Sequence, residues 1–150
     1  MAMVMNEIDK SIRLDDAGRD RVLVVEDELS VRMMTIRTLR WAGYDCMGAT
    51  SAGEARDLLR SEAFGLVVTD RRMWGEDGLE LVRHIADGYP DTFSIVVTGL
   101  DDDNLEERSS RAGAFACLRK PADPENIIEL AAEAFDRRED SVALRRHLTW

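Results

Sequence analysis

The chain alternates short apolar runs with longer stretches of looser periodicity. Val22-Leu23-Val24-Val25 is a continuous apolar run, mostly β-branched, that stops abruptly at Glu26-Asp27-Glu28. A short run with no polar alternation suits a strand covered on both faces, as in a parallel sheet. The next stretch predicts a helix capped by Ser30 and stopped by Gly43. Its apolar residues (Val31, Met34, Ile36, Leu39, Trp41) are spread too widely for a clean stripe, and Met34 with the 38–41 turn gives the expected inner face. A second strand is predicted over 44–48, then a helix capped by Thr50 or Ser51 with Ala52, Ala55, Leu58 and Leu59 on one face. Phe64 to Thr69 reads as a third strand and stops at Asp70, and a Gly-bearing loop follows over 71–78. Leu79, Leu81, Val82 and Ile85 lie on a helix ended by Gly88 and Pro90. Phe93 to Val97 is a fourth strand ending at Thr98-Gly99, followed by an acidic loop, Asp101-Asp102-Asp103, and a helix that stops at Gly113. Ala114 to Leu118 is a fifth strand, before Arg119-Lys120-Pro121. Asp123-Pro124 is a strong helix start, and Ile127, Ile128, Leu130, Ala131, Ala134 and Phe135 form that helix's expected buried face.

Five strands alternating with five helices predict an open, doubly wound parallel α/β sheet with helices on both faces. Residues 1–20 carry no sustained pattern and read as a mobile leader, 21–136 as one domain, and 137–150 as a tail or a linker helix cut short. Only 14 residues follow Asp136, too few for a DNA-binding or enzymatic domain. The chain is therefore expected either to act alone by docking or to be the front of a longer protein.

Charge sharpens this picture. The net charge is −10, the leader and tail cancel at −2 and +2, and the whole excess falls on residues 21–136. Acidity on the folded part argues against nucleic acid as a direct partner of this chain, because phosphates repel it. Cys46 and Cys117 form no disulfide framework and have no metal-ligand spacing, so they read as small buried residues. No signal peptide and no run long enough to span a bilayer is present, and a cytoplasmic protein without a membrane partner is expected.

The chemistry collects where the strands end. Those ends carry Glu26, Asp27, Asp70, Thr98 and Lys120, and in open α/β sheets function gathers at the C-terminal ends of strands. Converging carboxylates repel one another unless a cation sits among them, and hard oxygen ligands suit Mg²⁺. A carboxylate can also act as a nucleophile toward phosphorus, with a hydroxyl and an amine holding the phosphoryl oxygens.

Four motifs in order, Val24-Val25-Glu26-Asp27-Glu28, Val68-Thr69-Asp70-Arg71-Arg72-Met73 with Gly75-Glu76-Asp77-Gly78, Val96-Val97-Thr98-Gly99 and Leu118-Arg119-Lys120-Pro121, each end a predicted strand. In these the sequence resembles the receiver domain of bacterial two-component response regulators, from about Arg21 to Asp136. The resemblance implies a flavodoxin-like (βα)5 fold with strand order 2-1-3-4-5. It implies that Asp70 is the phosphoacceptor, Asp27 the direct metal ligand and Glu26 its neighbour acting through water. On the same resemblance the main-chain carbonyl of Arg72 is expected to complete the metal site, Thr98 to be the switch hydroxyl, and Lys120 to be the family's amine, aimed inward by a cis Lys120–Pro121 bond. Implied too are Mg²⁺, transfer from a histidine kinase or phosphotransfer protein, slow hydrolysis of the acyl phosphate rather than enzyme turnover, and a homodimer through the face of the fourth helix, fifth strand and fifth helix.

Two positions depart from the family pattern. Cys117 stands where an aromatic usually swings inward on phosphorylation, and a thiol has no ring to swing, which leaves Thr98 as the moving part. Trp74 stands where the loop after the acceptor usually carries Pro; it reads as a partner contact, a lid, or a ring packed over the loop. Elsewhere the plain readings prevail: Asp101 to Asp103 as a solvated loop, His84 as a surface residue, Met33, Met34 and Met73 as packing, Arg111 and Arg119 as solubilising charge. Two other functions compete. A degenerate receiver serving as a binding scaffold would lack the acceptor or the Lys, and both are present. An unrelated Mg²⁺ phosphohydrolase would place a second acid two residues after the nucleophile, where Arg72 stands.

Overall fold

A computed structural model describes residues 21–99 and 103–148; the leader, Asp101, Asp102 and Trp150 lie outside them. Along the chain run β1 (Arg21–Val25), α1 (Leu29–Trp41), β2 (Asp45–Ala49), α2 (Ala52–Ser61), β3 (Leu66–Asp70), β4 (Arg72–Met73), β5 (Glu76–Asp77), α3 (Gly78–Gly88), β6 (Phe93–Thr98), α4 (Leu105–Ala112), β7 (Ala116–Arg119) and α5 (Pro124–Leu148). The main sheet is parallel, in the order β2-β1-β3-β6-β7, which is 2-1-3-4-5 for its five strands.

Alternate side chains of the inner strands feed two cores, because neighbours on a strand point to opposite faces. Val22, Val24, Leu66 and Val68 pack with Ile36 and Leu39 of α1 and with Ile127, Ala131 and Phe135 of α5. Leu23, Val25 and Val67 pack with Ala52, Ala55 and Leu59 of α2 and with Leu81 and Ile85 of α3. A third cluster, Leu79, Val82, Val96, Leu105 and Ala112, joins α3 to α4. Both faces are covered, which explains the uninterrupted apolar runs.

The helix punctuation follows the sequence in most places. Ser51 caps α2, its hydroxyl accepting the Glu54 N–H, and α1 and α4 end before Gly43 and Gly113 at φ 102° and 103°. Several details differ. Ser30 does not cap α1; the helix already begins at Leu29 after Glu28, and Ser30 lies in the first turn with its hydroxyl on the Glu28 carboxylate. Met34 is 67% exposed and Trp41 85% exposed, so neither forms the inner face. Each stands two residues from a buried one (Ile36 and Leu39), about 200° round the helix, and so points outward. β2, β3 and β7 begin one or two residues later than predicted, and Phe64 packs its buried ring from the connection before β3.

The predicted loop 71–78 contains an antiparallel ribbon, with Arg72 opposite Asp77 and Met73 opposite Glu76. The ribbon returns against the end of β3 so closely that a Cβ on Gly78 would stand 2.1 Å from the Asp70 carbonyl oxygen. Only glycine fits there.

The last helix does not stop at Asp136. α5 continues to Leu148, with Arg138 and Val142 buried. Arg138 donates through Nε to the Asp91 carbonyl, and Arg145 reaches the Pro90 carbonyl and the Asp91 carboxylate. The 137–148 segment is thereby fastened to the turn between α3 and β6. Among the described residues no helix is long and apolar enough to cross a membrane.

Candidate functional site

β1 and β3 lie side by side at the centre of the sheet, and the chain order reverses there. At such a point the helices leaving the two strands diverge to opposite faces and open a crevice at the strand ends. Glu26 and Asp27 follow β1, Asp70 is the last residue of β3, Thr98 the last of β6, and Lys120 follows β7. The sheet therefore brings Glu26, Asp27, Asp70 and Lys120 into one cluster.

Glu26, Asp27 and Asp70 each offer a carboxylate oxygen within 4.8 Å of the others, so the three can hold a metal ion. The donors are all hard oxygens, the set a divalent cation of the Mg²⁺ kind accepts. Lys120 Nζ lies 3.3 Å from Asp70 Oδ2 and 3.8 Å from Glu26 Oε2. Glu26 is 5% exposed. Burial first, and then the adjacent Asp70 carboxylate, push it up from 4.5 to about 8; Lys120 and the Glu28 N–H offset this only in part. At neutral pH and without a cation this favours the protonated form of Glu26, and a cation among these oxygens would favour its release.

The surroundings fix these groups. Glu26 Oε1 accepts the Glu28 N–H at 3.3 Å, and Arg32 Nη1 donates to the Glu26 carbonyl at 2.8 Å. The Arg71 N–H bonds the Val97 carbonyl at 2.8 Å, and the Lys120 N–H bonds the Thr98 carbonyl at 2.5 Å, tying β3 to β6 and β6 to the Lys120 segment. The Lys120–Pro121 bond is cis. A cavity of about 500 Å³ opens from the cluster beneath α1, walled by Val24, Val31, Thr35, Val68 and Ile127.

Thr98 is buried at the end of β6, next in the sheet to β3. Arg72 sits on β4 with its side chain exposed. Cys117 is removed from the acids: half-buried, it packs against the cluster of Val82, Val96 and Leu105, and burial pushes its thiol up. His84 is exposed.

Sequence reasoning missed the contacts made by the ribbon. The Trp74 main-chain N–H donates to Asp27 Oδ2 at 3.0 Å, and its side chain is 94% exposed. Glu76 Oε2 accepts the Ala52 N–H at the start of α2 at 2.5 Å, and Arg71 pairs with Asp77 at 2.5 Å. Two-residue strands carry no periodicity to read; Gly75, at φ 72°, is the one signal of the corner.

A doubly wound parallel sheet that gathers three acids, an amine and a hydroxyl at its C-terminal edge has the layout of a signalling receiver. Residues 22–132 match the model of the response regulator receiver domain, and the chain belongs to that family. It is 35% identical over 117 residues to the response regulator protein PilR of Pseudomonas aeruginosa, covering 78% of this chain and 26% of that protein. It is 35% identical over 125 residues to the transcriptional regulatory protein PdtaR of Mycobacterium tuberculosis, covering 81% and 60%. The chain spans about a quarter of the length of the first curated relatives it matches. Among solved structures, a CheY-like receiver domain protein from Methanospirillum hungatei superposes with a TM-score of 0.76 at 30% identity, covering 81% of this chain and 97% of the other. The beryllofluoride-activated NtrC4 receiver domain dimer gives 0.75 at 29% identity, covering 79% and 98%.

Proposed function

We propose that this receiver domain accepts a phosphoryl group on Asp70 from the phosphohistidine of a kinase or phosphotransfer protein, and switches its partner contacts in consequence. The observation that carries the reading is the meeting of Asp70 with Lys120 at 3.3 Å and with the Glu26 and Asp27 carboxylates inside one 4.8 Å cluster.

The Asp70 carboxylate attacks phosphorus, the P–N bond to the donor histidine breaks, and the imidazole leaves with the bonding electron pair. Lys120 and Thr98 supply positive charge and a hydroxyl to the phosphoryl oxygens. Water later cleaves the acyl phosphate and restores Asp70. Asp27, Asp70 and the Arg72 carbonyl, with Glu26 acting through water, would hold Mg²⁺, which when bound would supply charge to offset the incoming anion. Lys120 keeps its head near both acids before transfer, so the amine need not be recruited.

With Cys117 in the aromatic's place, switching runs through Thr98 and the end of β6. Its output is the α4–β7–α5 face, meeting a partner or a second copy. The receiver unit is 21–136, with 1–20 as leader and 137–150 as a C-terminal tail or a linker helix cut short. The acidic domain contacts protein rather than nucleic acid, on the cytoplasmic side of any membrane.

Incubation with acetyl phosphate and Mg²⁺, followed by intact-mass measurement, tests the core of this. The expected result is addition of one phosphoryl group, lost in Asp70→Asn and blocked by beryllofluoride. No addition with any donor, or undiminished addition in Asp70→Asn, refutes it.

A further inference from the structure

We propose that the main-chain N–H of Trp74 is a positioning group for the Asp27 carboxylate, setting it for a divalent cation. Glu26 and Asp70 are buried and held by their walls, by Lys120 and by the Glu28 N–H. Asp27 is the exposed member of the cluster, on the turn between β1 and α1. An exposed carboxylate samples several rotamers, and each contributes to the entropy lost on ligation. The Trp74 N–H, 3.0 Å from Asp27 Oδ2, selects the one turned toward the ribbon. Hydrogen bonds to charged groups are the stronger kind, and those that orient metal ligands affect affinity out of proportion to their size.

The donor sits on a stiff support. Glu76 binds the first turn of α2, Asp77 pairs with Arg71, the Gly78 N–H bonds the Arg71 carbonyl at 2.8 Å, and Met73 is buried. The Trp74 indole stands almost wholly in solvent, so the contribution of this residue to the site lies in its backbone. Trp74 and Gly75 form the corner between β4 and β5. Gly75 has φ 72° and Trp74 is outside the positive-φ region. A positive φ at Gly75 with none at Trp74 is the sign pattern of a type II turn, whose first central position takes Pro. Trp74→Pro therefore removes the N–H without forcing the corner open, and Trp74→Phe removes the indole while leaving the N–H.

This inference rests on the cluster binding Mg²⁺. Calorimetric titration of Mg²⁺ into the full chain, its Trp74→Pro, Trp74→Phe and Asp27→Ala variants separates the two claims. The expected result is Asp27-dependent binding in the parent, Trp74→Phe within about twofold of it, and Trp74→Pro weaker by about tenfold. Equal affinity of Trp74→Pro and Trp74→Phe overturns the positioning role while leaving the metal reading intact. No Asp27-dependent binding in the parent overturns both. Hydrogen exchange decides the matter without relying on the proline variant folding. The Trp74 amide should be protected in the parent and exchange much faster in Asp27→Ala, and an unprotected amide in the parent overturns the proposal.

Discussion

Replacing Glu26 by Gln should make the metal-free domain more stable at alkaline pH and leave acid stability unchanged. Burial and the Asp70 carboxylate raise Glu26 from 4.5 to about 8. A carboxyl whose folded value is raised binds its proton more tightly in the folded state. The unfolded chain ionises first, near 4.5, so stability falls as pH rises from there and levels off above about 8. The full interval converts to about 5 kcal/mol. Direct repulsion between two acids whose facing oxygens lie within 4.8 Å comes to about 3 kcal/mol or more at an effective dielectric of 20. A stability gain of about 2–4 kcal/mol at pH 8.5 is the reasonable scale, or roughly 5–15 °C in Tm for a domain of this size. Thermal melts in EDTA from pH 4.5 to 9, followed by circular dichroism, read it directly. The parent should lose Tm across this window and Glu26→Gln should stay nearly flat. Mg²⁺ should recover the parent's loss and do little for the variant. Parallel pH profiles, or a Glu26→Gln domain less stable than the parent at pH 8.5, would refute the electrostatic account.

Other perturbations test separate parts of the structure. Gly78→Ala drives a Cβ to 2.1 Å from the Asp70 carbonyl oxygen and should cost about 1–3 kcal/mol in urea unfolding. Val142→Ala should cost about 1–2 kcal/mol and speed amide exchange over residues 137–148, with Mg²⁺ affinity unchanged, because Val142 lies at the opposite end of α5 from the acid cluster. Mg²⁺ affinity of the parent should rise with pH up to about 8, because the cation displaces the proton that Glu26 retains; a flat dependence, measured by titration at pH 6, 7 and 8, contradicts that. Cys46, pushed up to about 11 by burial, and Cys117, raised by the same cause, should both resist iodoacetamide at pH 7.5 in the folded state. Rapid alkylation of either, read by mass, would contradict the burial.

The acid cluster was legible because each strand ends where its apolar run meets a functional residue, and the fold places those ends together. Glu26, Asp70 and Lys120 needed only the order of the strands. The ribbon was not legible, since its anchoring runs through main-chain groups of Trp74 and Ala52 that no side-chain pattern encodes. The inner face of α1 was misread because Met34 and Trp41 are large and apolar, while the positions that face inward beside Ile36 and Leu39 include Thr35, which covers its hydroxyl by bonding the Val31 carbonyl. The continuation of α5 shows in the sequence only as Val142, Leu144 and Leu148 at loose helical spacing. Arg138 reads as surface charge in sequence, yet its long apolar stem buries and its guanidinium finds a main-chain carbonyl.

The length of α5 has a mechanical side. Twenty-five helical residues make a rod of about 37 Å. One end begins just beyond the Lys120–Pro121 step that carries the amine, and the other reaches past the turn gripped by Arg138 and Arg145. Rotating such a rod by 5° about its first turn would carry its far end through about 3 Å. The buried Ile127, Ala131 and Phe135 hold the near half of the rod against the sheet, and Arg138 and Arg145 hold the far half against the 90–91 turn. Any rotation of the far half has to break the Arg138 and Arg145 contacts to that turn, so the rod is clamped at both ends of its length.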